Sequence, residues 1–493
     1  MKINYHQLSI IQIHEMLKTN TITPLQLINV VYKRLAKWNS LNGVVTNLES
    51  QAVKKAKILT NWPQAWTQDN LLMAIPYATK DNIITINTLT TGSSKILANF
   101  IPNYDSTINQ LLTTTNAINI AKTTLDELGM GGDGLHAASG YVLNPWNKNH
   151  ITGGSSSGSA VLVATGVVPF AIGTDTGDSV RKPAAYCGVV GFKPTYGLIS
   201  RNGVIPYAPS LDTVGVLTKY VDDIAVVLDT LVKYDETDFT SVKSKEQDYL
   251  KNLDDNMKNK NIAILNYDDY QWDNEIKTTF DETIATLTST GAKISYINFN
   301  QELLQSLLPV YMIISFAEAT SCHANLTGIN FGVQVEGKDY QSIMTNSRTA
   351  GFGDTVKRRY MIGSYVLSQN HQEELFNKAK KVRRLIVETL ANIFKKYDAY
   401  IVMPSVNIAP TIKDVLTKKE VIADEHDFLE DLLLLANLNG GPSITIPLTI
   451  HQGLPIGINI NSAPFNDQFA LNLAWFLTKN INFNNKLLGD ENE

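Results

Sequence analysis

The stretch Val167-Val-Pro-Phe-Ala-Ile172 runs directly into Gly173-Thr-Asp-Thr-Gly-Asp-Ser-Val-Arg-Lys-Pro183. A short apolar run that ends in a loop of small residues reads as a buried strand delivering a functional loop, the arrangement of layered α/β proteins. Ser179 stands at the end of that loop, just before a proline that can open a helix. It is well placed for a nucleophile, yet no histidine lies nearby and Asp178 is directly beside it.

Outward from this loop, strand-like runs alternate with helical ones. Leu71–Tyr77, Ala117–Ala121 and Pro169–Ile172 read as strands ending in polar loops, with Tyr220–Val232 as an intervening helix. Asn261–Leu265, Lys293–Ile297 and Ala399–Met403 are further strands, and Ser443–Ile450 with Pro455–Ile460 flank a hairpin turn. The first part reads helical: after Thr23-Pro24, residues Leu25, Leu27, Ile28, Val31, Leu35 and Trp38 share one face, and Ala52–Leu59 continues the pattern. Residues 301–395 read mostly helical, including the amphipathic Gln372–Ala391, whereas the charged Lys243–Lys260 is a solvated helix or linker. The closing GDENE is expected to fray. With no repeat and no clean boundary, the expectation is one domain over 1–493. Within it lie N-terminal helices (1–65), a catalytic core (66–300), a helical insert over the site (301–395) and C-terminal strands that complete the core (396–485).

Composition excludes several classes of function. The chain has 493 residues, 44% hydrophobic and 18% charged, and a net charge of −5, which gives no general attraction to polyanions. Its two cysteines, Cys187 and Cys322, suggest neither a disulfide scaffold nor a zinc cluster. The N-terminal residues lack the layout of a signal peptide, and the apolar stretch Ala160–Gly173 is too short to span a bilayer. A cytoplasmic setting without membrane contact is expected.

A second small-residue loop, Thr152-Gly-Gly-Ser-Ser-Ser-Gly-Ser-Ala160, lies close to the first. A phosphate-binding loop would need Lys and Ser/Thr after its last glycine, and Ser159-Ala160 follow Gly158 instead. Gly154-Ser-Ser-Ser-Gly158 formally matches a hydrolase elbow around Ser156 with His451 as partner, but the elbow should follow a strand, and a loop precedes it. The remaining reading uses a lysine. In Leu72-Met-Ala-Ile-Pro-Tyr-Ala-Thr-Lys80-Asp-Asn-Ile83, Lys80 ends an apolar strand, where burial disfavours its ammonium and a neutral amine can take a proton from a serine. From this stretch alone, a base and a surface lysine paired with Asp81 stand equal.

The segments AIPYATKDNI, ITGGSSSGSAVLVATG and GTDTGDSVRKPAAYCGVVGFKPTYGLISRNG resemble the amidase signature family, with Ser210–Gly215 and Gly453–Gly457 matching in order. That resemblance implies an α/β/α domain around a large twisted mixed sheet and a Ser–cis-Ser–Lys triad. By motif, Lys80 is the base, Ser155 the bridging serine behind a cis Gly154–Ser155 bond, and Ser179 the nucleophile. Backbone N–H groups of Thr176, Gly177, Asp178 and Ser179 form the oxyanion hole.

Leu125–Met130, Tyr104–Thr107, Pro309–Ser315 and Gly351–Arg359 are similar to one branch of that family, the glutamine-hydrolysing subunits of tRNA-dependent amidotransferases. The branch implies glutamine as substrate, held by Tyr311 and by Arg358 or Arg359 on its carboxylate. Its ammonium falls to Glu430 or Asp431: counting back from Asn437 favours the first, chemistry the second. It further implies partner B and C subunits, with tRNA held mainly by B, no cofactor in this chain, and ATP and Mg bound by B. The alternative is a stand-alone amidase acting on small amides.

Two positions depart from the family pattern, which has glycine at both. Ser157 is expected to cap the following helix. Asp178, tolerable even in a left-handed conformation at roughly 1 kcal/mol, is expected to point away from the oxyanion hole, neutralised by Arg181, Lys182 or another cation.

Overall fold

The computed structural model describes residues 5–61, 70–245, 248–266, 272–418, 428–481 and 483. Its centre is one 11-stranded mixed sheet. The strands are β1 (Val44–Asn47), β2 (Pro76–Lys80), β3 (Ile118–Thr123), β4 (Phe170–Asp175), β5 (Val190–Lys193), β6 (Thr213–Thr218), β7 (Asn261–Leu265), β8 (Lys293–Ile297), β9 (Ala399–Val402), β10 (Ser443–His451) and β11 (Leu454–Ser462). They lie in the order β1-β3-β2-β4-β6-β5-β10-β11-β9-β7-β8. β3, β2 and β4 run parallel, as do β9, β7 and β8, while the middle pairs from β4 to β9 are antiparallel. Every residue of β2, β4, β5, β6, β9 and β11 is buried. Strands buried on both faces require helices on both sides of the sheet, and the near-continuous apolar runs noted in the sequence reflect this.

β7 and β8 fall where the sequence places them, and the β10–β11 hairpin turns at Gln452–Gly453. Two expectations need correction. The strand expected over Leu71–Tyr77 begins only at Pro76; residues 71–74 form a turn that places Ala74 at a φ of 57°. A short buried apolar run carries no periodicity to separate the two. The N-terminal part is not all helical, because Val44–Asn47 adds edge strand β1 antiparallel to β3. Of the helix or linker expected over Lys243–Lys260, the described residues take the irregular, linker form, with Tyr249 and Met257 buried. The acidic GDENE lies outside the described residues.

Between β8 and β9 come the helices Gln301–Gln305, Leu307–Cys322, Tyr340–Gly351, Asp354–Leu367 and Lys378–Phe394. Among the described residues, Gln301–Asn325 is long and apolar enough by composition to cross a membrane. Its Leu307, Val310, Ile314, Phe316, Ala317 and Ala319 are instead buried against the protein. Helix Asp354–Leu367 packs on it at Gly363, where any side chain would strike the Phe316 carbonyl and the Thr320 hydroxyl.

Candidate active site

Lys80 ends β2 and is fully buried. Its Nζ lies 2.8 Å from Ser155 Oγ, 2.9 Å from Ser156 Oγ, 2.8 Å from Thr174 Oγ1 and 3.0 Å from the Thr174 carbonyl. Burial drives its pKa down to about 7, although Asp126, Asp175, Asp212 and Asp178 pull the other way. A lysine held there is substantially neutral at physiological pH. The surrounding bonds suit a neutral amine. Ser156 Oγ gives its own proton to the Thr174 carbonyl at 3.1 Å, and Asn82 Nδ2 donates to Thr174 Oγ1 at 3.0 Å. A neutral amine has two N–H groups, enough for Thr174 Oγ1 and one of the other two acceptors, and its lone pair is left for the Ser155 hydroxyl. The surface pairing with Asp81 does not form: Asp81 faces Lys122 at 3.5 Å and accepts from Thr91.

Ser155 follows the cis Gly154–Ser155 peptide. Gly154 is obligatory for packing, since a Cβ there would sit on the Asp126 carboxylate. That carboxylate accepts from the Gly134 and His136 N–H groups, at 3.1 and 3.0 Å. The helix Ser157–Ala164 then leads back to β4. Ser157 does not cap it: it is the first helical residue, and its buried hydroxyl has no hydrogen-bond partner among the described residues.

The loop from β4 to the helix Arg181–Cys187 carries Ser179, only 3% exposed. Ser156 N–H donates to the Ser179 carbonyl at 3.0 Å, which ties the two serine loops together. Among the described residues the Ser179 hydroxyl has no hydrogen-bond partner, and the backbone N–H groups of Thr176, Gly177, Asp178 and Ser179 donate to none. Four consecutive uncommitted donors around a buried hydroxyl form a concavity suited to a developing oxyanion.

A fully buried scaffold holds this loop. Arg181 forks onto Asp175 with two 3.0 Å bonds and reaches the carbonyls of Gly177 and Leu433 and the Asn437 side chain, each within 2.7 Å. Asn437 Nδ2 and Val180 N–H complete the Asp175 cage, both at 2.9 Å. Burial alone would raise Asp175, but Arg181 and these donors outweigh it and hold the carboxyl below its usual value.

The expected partner of Asp178 is therefore occupied elsewhere. Arg181 belongs to Asp175, and Lys182 Nζ bonds Glu430 at 2.6 Å. Among the described residues the Asp178 carboxylate makes no ion pair or hydrogen bond. Burial pushes it up to about 7; Lys182 and Arg181 moderate this, while Asp175 and Asp431 add to it. Nor is Asp178 left-handed, since it is absent from the positive-φ residues.

The helical insert closes over the loop. A Cβ on Gly177 would meet the Tyr311 ring at 3.0 Å. Tyr311 Oη lies 3.5 Å from Tyr207 Oη, which accepts from Arg359 Nη1 at 2.8 Å. Arg359 also stacks on Phe316, with its guanidinium 4.9 Å from the ring centre. Despite burial, Tyr207, Tyr311 and Asp126 keep it firmly charged. Arg358, one residue away, is exposed. Glu430 is spoken for by Lys182 and by Ser405 Oγ at 2.7 Å; Asp431 lies within electrostatic reach of Asp178. Sequence reasoning missed Thr174, Asp126, Tyr207 and the Arg181–Asp175–Asn437 cage, and it weighed Ser156 only as an elbow nucleophile, whereas its hydroxyl contacts Lys80. Thr174 and Asp175 stood within the quoted loop, but nothing local marks Asn437 as its partner.

A protein-family profile described as Amidase matches residues 26–471. The A subunit of glutamyl-tRNA(Gln) amidotransferase from Mycoplasma pneumoniae is 42% identical over 433 residues, covering 85% of this chain and 90% of that one. The protein of the same name from Halothermothrix orenii is 36% identical over 487 residues, 98% of each. The crystal structure of the Thermotoga maritima protein of that name has a TM-score of 0.78 at 30% identity, covering 97% of this chain and 96% of that one.

Proposed function

The chain belongs to the amidase family, and from that premise we propose that it is the glutamine-hydrolysing subunit of a tRNA-dependent amidotransferase. The single observation that carries the chemistry is the buried Lys80 amine, 2.8 Å from Ser155 and held near neutrality, behind a loop of uncommitted N–H donors.

In this reading Ser179 Oγ attacks the side-chain carbonyl of glutamine as its proton passes to Ser155 Oγ and the Ser155 proton passes to Lys80 Nζ. With substrate seated, the Ser155 hydroxyl closes onto Ser179, a contact of the kind that tightens in the reacting complex. The N–H groups of Thr176 to Ser179 receive the oxyanion, each well-aimed donor contributing ~3 kcal/mol. The same path returns a proton to the departing nitrogen. Ammonia leaves, water hydrolyses the γ-glutamyl ester, and glutamate departs. Arg359 rather than Arg358 pairs with the α-carboxylate, because only Arg359 reaches Tyr207 and Tyr311. Asp431 rather than Glu430 faces the α-ammonium, because Asp431 lies within electrostatic reach of Asp178 beside the nucleophile.

The ammonia serves a partner B subunit that activates Glu-tRNA(Gln), and by the same chemistry Asp-tRNA(Asn), with ATP and Mg, while a C subunit joins the two. The relatives' names support the Glu-tRNA(Gln) arm. The experiment is ammonia release from glutamine, together with conversion of Glu-tRNA(Gln) by the copurified assembly. Release that disappears in Ser179→Ala and couples to ATP and charged tRNA supports the reading. Turnover of simple amides with no response to either identifies a stand-alone amidase.

A further inference from the structure

We infer that the Asp178 carboxylate, beside the nucleophile, binds the α-ammonium of glutamine together with Asp431 and so selects a free α-amino acid over an amide that lacks the ammonium. This rests on the glutaminase reading and specifies what its site recognises. The Asp178 side chain makes no hydrogen bond or ion pair among the described residues that would hold the loop's fold. Its φ is not left-handed, so neither glycine nor aspartate is demanded by the turn. Both cations that follow it in the chain are committed, Arg181 to Asp175 and Lys182 to Glu430. A half-buried carboxylate with no ion pair or hydrogen bond among the described residues carries a desolvation cost that the nearby Lys182 and Arg181 charges only partly offset. A cation arriving with the substrate removes it.

Position agrees with that role. Gly177, the preceding residue, lies under the Tyr311 ring, and Tyr311 and Asp431 are both electrostatic neighbours of Asp178. Arg359 reaches the same space through Tyr207 and Tyr311. A free amino acid offers its carboxylate to Arg359 while its ammonium, one carbon away, falls to the acidic side. The negative charge beside the nucleophile then meets a substrate charge and no longer opposes the oxyanion.

The groups facing Asp178 are Asp175, Arg181, Lys182 and Tyr186 from its own loop and helix, Lys80 from β2, Tyr311 from the insert and Asp431 from the turn Phe428–Asp431. Without substrate, burial holds Asp178 at about 7. Glutamine therefore requires two deprotonated groups, Lys80 and Asp178, whereas an amide without an ammonium requires only Lys80.

The test compares glutamine with glutaramic acid, its analogue lacking the amino group, on the full chain and on Asp178→Asn and Asp178→Gly. The kcat/KM preference for glutamine falls about tenfold or more in both variants, the range of one charge-assisted hydrogen bond. Below pH 7 the wild-type log kcat/KM slope approaches two for glutamine and one for glutaramic acid, and falls to one for glutamine in Asp178→Asn. An unchanged preference overturns the inference, whether both substrates slow together or kcat rises because a charge opposing the oxyanion was removed. Those outcomes leave the glutaminase reading intact; wild-type protein that releases no ammonia from glutamine overturns that reading instead.

Discussion

Lys80 at the end of β2 and Lys193 at the end of β5 are both fully buried, and burial brings both down to about 7. Their partners differ. Lys80 meets the hydroxyls of Ser155, Ser156 and Thr174, whereas Lys193 meets the carbonyls of Pro194 and Gly441, at 3.1 and 2.6 Å. A carbonyl has no proton to give. Desolvation therefore makes an amine neutral, but only hydroxyl neighbours make it a base. Lys122 is a third case: burial lowers it, Asp81 opposes that, and its remaining contacts are the Ile83 carbonyl and Thr90 Oγ1.

The sharpest way to break this comparison is Lys80→Met, which should lower glutamine turnover by about 10³-fold or more while the chain still folds, in line with loss of a group acting as a unit with its nucleophile. Initial rates together with a thermal melt check it; a tenfold loss would mean that another group serves as base. Arg359→Lys comes next. A point charge cannot reproduce a planar fork, so KM for glutamine should rise by roughly 10- to 100-fold with kcat much less changed, as saturation kinetics will show.

A smaller effect is the pH dependence that follows from Lys80 as base. Lys80 must be neutral to accept a proton, so glutaramic acid turnover holds above its folded value of about 7 and falls about tenfold per unit below it. A profile flat to pH 5 would show that Lys80 does not titrate in the reaction. The smallest effect on turnover belongs to Lys193→Met, with kcat within about twofold. Two buried carbonyls lose their donor, so stability should drop by about 2–4 kcal/mol, read by denaturant unfolding. Loss of kcat without loss of stability would erase the distinction between the lysines.

The legible parts of this site were those in which one short segment carries both chemistry and setting. Ser179 stood out in its small-residue loop, Lys80 stayed open between base and surface lysine until the family motif decided it, and Ser155 came from that motif alone; the structure brings Lys80 to Ser155 and ties the Ser155–Ser156 loop to Ser179. β7 was legible as a short continuous apolar run and β8 as a short mixed one, each between polar turns. What stayed hidden depends on long-range closure. Asn437 meets Asp175 across 262 positions and Arg181 across 256, and no local pattern specifies such a meeting. The same closure overturned the expected Asp178 pairing. From the sequence Arg181 and Lys182 are its nearest cations, but Asp175 and the distant Glu430 take them. Edge strand β1 was missed because four residues between two helices are too few to show a period.

The central claim is that Lys80, through Ser155, activates Ser179 to take up the γ-glutamyl group. The most direct test is acid-quenched peptide mass spectrometry after brief exposure to glutamine at pH 8. The account predicts a γ-glutamyl ester on Ser179 in the wild-type chain and in Lys193→Met, and none in Lys80→Met. An adduct on another residue, or one that forms on Ser179 at the wild-type rate without Lys80, would contradict it.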